Sequence, residues 1–199
     1  MIDIIKSGGI FMIPIILCAV IATFIIIERI IFYHSVKKSD KKLLSELYDY
    51  INSKNYDGAI AFCKACDTPL SRVLSRAIEC RSYDYETLKE TVTNEATSEI
   101  RVLEHLLTAL GTIANISTLL GLLGTVTGNI QAFGILGGGE SMGNPAVLAG
   151  AISEALVTTA SGRIVSIPAL IFHNYFVSQV NHFLCQIEAE SSELVIKLK

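Results

Sequence analysis

Three stretches of the chain lose nearly all their charge. Ser7 to Ile27 and Leu106 to Gly139 hold none, and Ser141 to Ile187 is interrupted only by Glu154, Arg163, His173 and His182. Each exceeds the roughly 20 apolar residues needed to cross a bilayer core ~30 Å thick. The pattern predicts three transmembrane helices, at about 10–32, 106–136 and 146–176. Between the first two, about 34–105, apolar positions return at helical spacing. Leu43, Leu44, Leu47, Tyr50 and Ile51 mark one helix, and Asn55 to Cys66 a second. Thr68 and Pro69 predict the cap and first residue of a third, which runs through Leu70, Val73, Leu74, Ala77 and Ile78. Asp84 opens a fourth with the stripe Val92, Ala96, Ile100, Leu103 and Leu107. No Gly or Pro lies between Asp84 and Leu110, so this helix is expected to continue unbroken to about Leu136. The third span has no stop before Glu188 and is expected to run into a tail, 177–199. The expected fold is all-α: one membrane domain, 1–199, whose second and third transmembrane helices extend into the cytoplasm.

Composition agrees with that picture. Of the 199 residues, 51% are hydrophobic and 18% charged, and the mean hydropathy is +0.50. The net charge of −3 points to no nucleic-acid partner. The first apolar run is too long for a signal peptide, and Glu28-Arg29 follows it instead of a small-residue cleavage site. Arg29, Lys37, Lys38, Lys41 and Lys42 crowd its carboxy-terminal side, whereas the loop near Gly137 to Pro145 has no basic residue. The positive-inside rule then puts the amino terminus outside and 34–105 and the tail in the cytoplasm. Cys63 and Cys66 form a C-x-x-C without a second pair or a nearby His, so they read as helix packing and no metal or cofactor is expected. No nucleophile–base pair suggests an enzyme.

The spans carry more hydroxyl and small residues than a lipid-facing helix needs. In the second, Thr118, Gly121, Thr125 and Ala132 share a stripe with Gly128 beside it, and Gly124 and Gly128 form a G-x-x-x-G. In the third, Ala155, Thr159, Gly162, Ser166 and Ala169 form a matching one. Any single Thr can be explained by close packing, its hydroxyl bonded back to a carbonyl. Two such stripes in one three-span chain shift the balance toward a polar passage. Glu154 lies about eight residues into its span and about 140° around the helix from Thr159. It reads as a carboxylate at the external mouth or at a subunit contact.

These residues resemble the MotA/TolQ/ExbB proton-channel family, in its three-span ExbB and TolQ branch. The resemblance covers nearly the whole chain and rests on NYDGAIAFCKACDTPLSRVL, TSEIRVLEHLLTALGTIANI, LLGLLGTVTGNIQAF and LAGAISEALVTTASGRIVSIPALIFHNYF. It implies a homo-oligomer, a pentameric ring in the bacterial inner membrane, around a dimer of a single-span ExbD- or TolR-like protein. Protons would pass an aspartate on that partner, and the work would reach a periplasm-spanning TonB- or TolA-like protein. The proton-pathway residues implied are Thr125, Thr159 and Glu154. Thr118 stands where the family has Pro, and Arg163 where it has an apolar residue. With Ser166 they are possible pore or interface positions, Arg163 reaching either lipid phosphate or a partner's carboxylate. The alternative to a conducting subunit is a non-conducting oligomeric membrane scaffold.

Overall fold

The computed structural model describes residues 9–137 and 145–198; residues 138–144, the tip of the expected external loop, lie outside that description. Six helices follow one another, α1 (Met12–Asn52), α2 (Tyr56–Cys66), α3 (Pro69–Glu79), α4 (Tyr85–Glu104), α5 (Leu107–Gly137) and α6 (Pro145–Leu198), with no strand among the described residues. Stretches apolar and long enough to cross a membrane lie in Met12–Asn52, Tyr85–Gly137 and Pro145–Lys197. The chain divides into two units, Met1–Ile27 with Leu106–Asn174, and Glu28–His105 with Tyr175–Lys199.

The first unit holds the apolar parts of α1, α5 and α6. Large apolar side chains are exposed on all three, among them Phe24, Ile130 and Ile164 at 68%, 65% and 71%. In water such a surface would be penalised at about 25 cal/mol per Å², whereas hydrocarbon accepts it. Helices also keep their backbone donors satisfied there. The chain is a multi-pass membrane protein. Beside buried aliphatics such as Ile15, Ile25 and Leu110, it buries many small residues: Gly121, Gly124, Gly128 and Ala132 on α5, and Ala151, Ala155 and Ala169 on α6.

The second unit has an ordinary aliphatic core, with Leu43, Leu47, Leu70, Leu74, Ile78 and Leu88 almost fully buried. Its helices start as the sequence predicts. The Thr68 hydroxyl accepts the Ser71 amide at 3.2 Å and the Ser71 hydroxyl accepts the Thr68 amide at 2.9 Å, with Pro69 opening α3. Asp84 caps α4 through the Thr87 amide. Thr68 also donates to Asp40 of α1 at 2.6 Å. Burial pushes the Asp40 carboxyl above its usual range, although that hydrogen bond pulls the other way. Arg72 spans Asp67 and the buried Glu99, at 2.7 and 2.6 Å, and ties α3 to α4. Farther along α1, Tyr48 donates to Glu190 of α6 at 2.9 Å, and Lys197 lies over its ring.

One expectation fails in an instructive way. The helix opened by Asp84 does not run on to Leu136; it stops at Glu104 and restarts at Leu107. His105 is extended (φ −50°, ψ 134°) and Leu106 is left-handed at φ +66°. A leucine there costs about 1–2 kcal/mol. The break frees the Leu103 carbonyl, which an unbroken helix would pair with the amide of Leu107. The Tyr33 hydroxyl of α1 donates to it at 2.7 Å in a buried setting. A side chain 70 residues away thus caps the end of α4.

Candidate functional site

The candidate residues lie where α5 and α6 run antiparallel in the first unit. Their approach is set by glycine. A Cβ added at Gly162 would sit 2.5 Å from the Ser117 carbonyl oxygen and 3.0 Å from the Gly121 Cα. At Gly124 it would sit 2.5 Å from the Thr158 methyl, and at Gly128 it would overlap the Ala155 methyl. At the other end, His173 fills the space beside Gly111, with its Nε2 2.9 Å from where a Cβ would stand. Backbones this close make van der Waals contact that lipid chains cannot match, which is how small-residue seams hold helices together in a membrane.

Across this seam the Thr159 hydroxyl donates to the Gly121 carbonyl at 2.6 Å. In an α-helix that carbonyl also receives the amide of the residue four positions on, here Thr125. The Gly121 carbonyl thus accepts the Thr159 hydroxyl and the main-chain amide of Thr125, while the Thr125 hydroxyl is bonded elsewhere. Both are half-buried in the single chain. Thr125 donates to the Leu122 carbonyl at 2.7 Å. Thr118 is exposed and donates to Ala114 at 3.2 Å. Ser166 is buried and donates to the Arg163 carbonyl at 3.3 Å, while the Arg163 side chain is exposed.

Glu154 goes elsewhere. Its carboxylate lies against the backbone of Gly9, just before α1, so closely that any side chain at position 9 would overlap Oε1. It lines a cleft of about 160 Å³ with Thr127, Gln131, Thr158 and, just before α1, Ile10 and Phe11. Of the three, Thr159 bonds across the seam to α5, Thr125 bonds back within α5, and Glu154 lies against Gly9. Among the described residues of this unit, Glu154 and Arg163 are the only Asp, Glu, Lys or Arg.

Two buried hydroxyl residues escaped the sequence reading. Thr158, 1% exposed, puts its methyl at Gly124 and its hydroxyl on the Glu154 carbonyl at 2.8 Å. Ser117 is fully buried and its hydroxyl makes no hydrogen bond among the described residues. Both sit one residue from a stripe position, and a one-residue shift is a 100° turn that periodicity resolves poorly. In the second unit, burial pushes the Cys63 thiol up to about 12, so it stays protonated and unreactive at neutral pH.

The profile of the MotA/TolQ/ExbB proton channel family matches residues 65–189, which take in α5 and the apolar part of α6. The chain belongs to that family. Among its relatives, the "Putative biopolymer transport protein ExbB-like 3" of Synechocystis sp. is 30% identical over 190 residues, covering 94% of this chain and 90% of that protein. The "Biopolymer transport protein ExbB" of Neisseria meningitidis is 26% identical over 204 residues, or 96% and 90% of the two chains. The "Tol-Pal system protein TolQ" of Haemophilus influenzae is 40% identical over 83 residues, 42% of this chain and 36% of that one. As a family member the chain is a membrane protein of the proton-channel type, and its seam lies within the matched region.

Proposed function

We propose that the chain is the proton-conducting subunit of an inner-membrane motor. It would couple the proton-motive force to a periplasm-spanning transport or envelope-maintenance system. In this reading several copies, five by analogy with the family, form a ring around a single-span ExbD- or TolR-like protein. That partner supplies the titrating carboxylate and passes work to a TonB- or TolA-like protein. The amino terminus is periplasmic and the carboxy terminus cytoplasmic.

The observation that carries the proposal is the pair of half-buried hydroxyls, Thr125 and Thr159, the latter bonded across the α5–α6 seam to the Gly121 carbonyl, in a unit nearly free of charge. A hydroxyl both donates and accepts, so it can hand a proton on without holding a charge. Thr125 and Thr159 are the relay pair, and Glu154, beside the start of α1, tunes entry at the external mouth. Thr118, Ser166 and Arg163 bound the path or the contact between copies.

A second reading has an observation of its own. Thr118, Thr125, Thr158 and Thr159 all donate to backbone carbonyls, as they would in a non-conducting scaffold. Proteoliposomes carrying the chain with its single-span partner, loaded with a pH-sensitive dye, separate the two. Proton uptake under an imposed potential should be abolished by Thr125→Val with Thr159→Val while the assembly keeps its mass. Full uptake by that variant would leave packing as the explanation.

A further inference from the structure

In the second unit α1 and α6 leave a cleft of about 190 Å³ between them. Lys37 and His34 project into it from α1, Tyr175 and Gln179 from α6, and Tyr33 and Phe176 form its floor. Ile30 closes the side nearer the apolar run. No carboxylate lines the cleft, and Lys37 and His34 make no hydrogen bond or ion pair among the described residues. The larger cleft between α2, α3 and α4 is different. Its cations Lys64, Arg72 and Arg76 are already engaged by Glu79, Asp67 and Glu99.

The depth of the cleft follows from the register of α1. From Met12 to Phe32 the helix rises about 30 Å at 1.5 Å per residue, one hydrocarbon thickness. His34 and Lys37 come two and five residues later, about 3 and 7.5 Å farther along the axis, at the level of lipid phosphates. Tyr175, exposed beside the cleft, is the kind of aromatic residue that favours this boundary. A Lys ammonium, a Tyr hydroxyl, a Gln amide and an imidazole are all donors suited to phosphate oxygens.

We propose that this cleft is a binding site for the phosphodiester of an anionic phospholipid, with its acyl chains running past Ile30 toward the bilayer core. Lys37 supplies the charge, and Gln179, Tyr175 and His34 supply hydrogen bonds. An uncharged glycerol headgroup, which leaves the phosphodiester's negative charge uncompensated, is preferred over choline, whose quaternary ammonium would lie beside Lys37. The lipid then bridges α1 and α6 where the two leave the membrane.

Native mass spectrometry of the protein in mild detergent, with phosphatidylglycerol or phosphatidylcholine added, tests this. Phosphatidylglycerol should be retained preferentially. Lys37→Gln should lower its retention about fivefold, the factor that one surface cation contributes. Adding Gln179→Leu should remove most of the remainder, and Lys37→Arg should restore retention. Lys38→Gln, outside the cleft, should retain lipid as the unaltered chain does. Equal retention of the two lipids, or undiminished phosphatidylglycerol on the Lys37→Gln, Gln179→Leu chain, would overturn the site. Displacement of the lipid by inorganic phosphate alone would reassign the cleft to a soluble phosphate and overturn the lipid reading. The Thr125→Val, Thr159→Val chain should bind lipid normally, so this test stands apart from that of conduction.

Discussion

At the scale of single residues, the polar groups that the fold buries set the sharpest tests. Asp40 is 3% exposed and has one hydroxyl partner, Thr68. Its folded pKa lies above its ordinary value near 3.8. Stability from this group is therefore complete below that value and declines as the pH rises through the higher folded pKa. At neutral pH the charge is a cost. Asp40→Asn keeps an oxygen for Thr68 and removes the charge. The variant should melt at a higher temperature at pH 7, with the gain vanishing toward pH ~4. A lower melting temperature at pH 7 would show an unrecognised cation beside Asp40. In the relay proposed for Thr125 and Thr159 the hydroxyl would be what matters, so Thr125→Ser and Thr159→Ser should conduct where the Val variants do not. Sequence made these threonines legible because hydroxyls are conspicuous in apolar runs. The helical offset of about 140° already set Glu154 apart from Thr159; what the sequence did not show is the neighbour it meets, the backbone of Gly9 just before α1.

At the scale of elements, the starts of α3 and α4 were readable: Thr68 with Pro69, and Asp84, are local chemistry. The stop at Glu104 was not. Its cause is a tyrosine on another helix and a leucine in a backbone conformation that its own type disfavours. Tyr33→Phe should lower stability by about 1 kcal/mol, the net worth of one hydrogen bond, measured by chemical denaturation in detergent. It should also increase amide exchange around Leu103. Unchanged exchange there would mean that the break is held by something other than this cap. The α5–α6 seam gives a paired test. Gly162→Ala meets the Ser117 carbonyl and should cost roughly 1–3 kcal/mol as overpacking. Gly134→Ala, with nothing within 4 Å, should be silent or mildly stabilising, since Ala is the better helix former. Equal effects would mean that the helices lie farther apart than described.

At the scale of the whole molecule, the apolar patterning and the family place the chain across a membrane, while its orientation and copy number are matters for experiment. In a chain stripped of its five cysteines, a cysteine at Ser141 should react with an impermeant thiol reagent added outside intact cells, and one at Ser82 should not. The reverse labelling would invert the topology. Native mass spectrometry should find a ring of several copies; monomer alone in mild detergent would count against a channel. The glycine seam also governs which mutations a lineage can survive. Every replacement of glycine adds at least a methyl, so random mutagenesis should deplete alleles at positions 121, 124, 128 and 162 while Gly134, Gly137 and Gly150, open within 4 Å, vary freely. Second-site suppressors should follow the same geometry. A defect from Gly128→Ala should be relieved in part by Ala155→Gly, because the nearest obstructing atom is a side chain, with backbone of Ala151 and Ala155 next at 3.1 and 3.2 Å. At Gly162 the nearest atoms are the backbone of Ser117 and Gly121, which no facing substitution can remove, so its suppressors should be absent from the opposite helix.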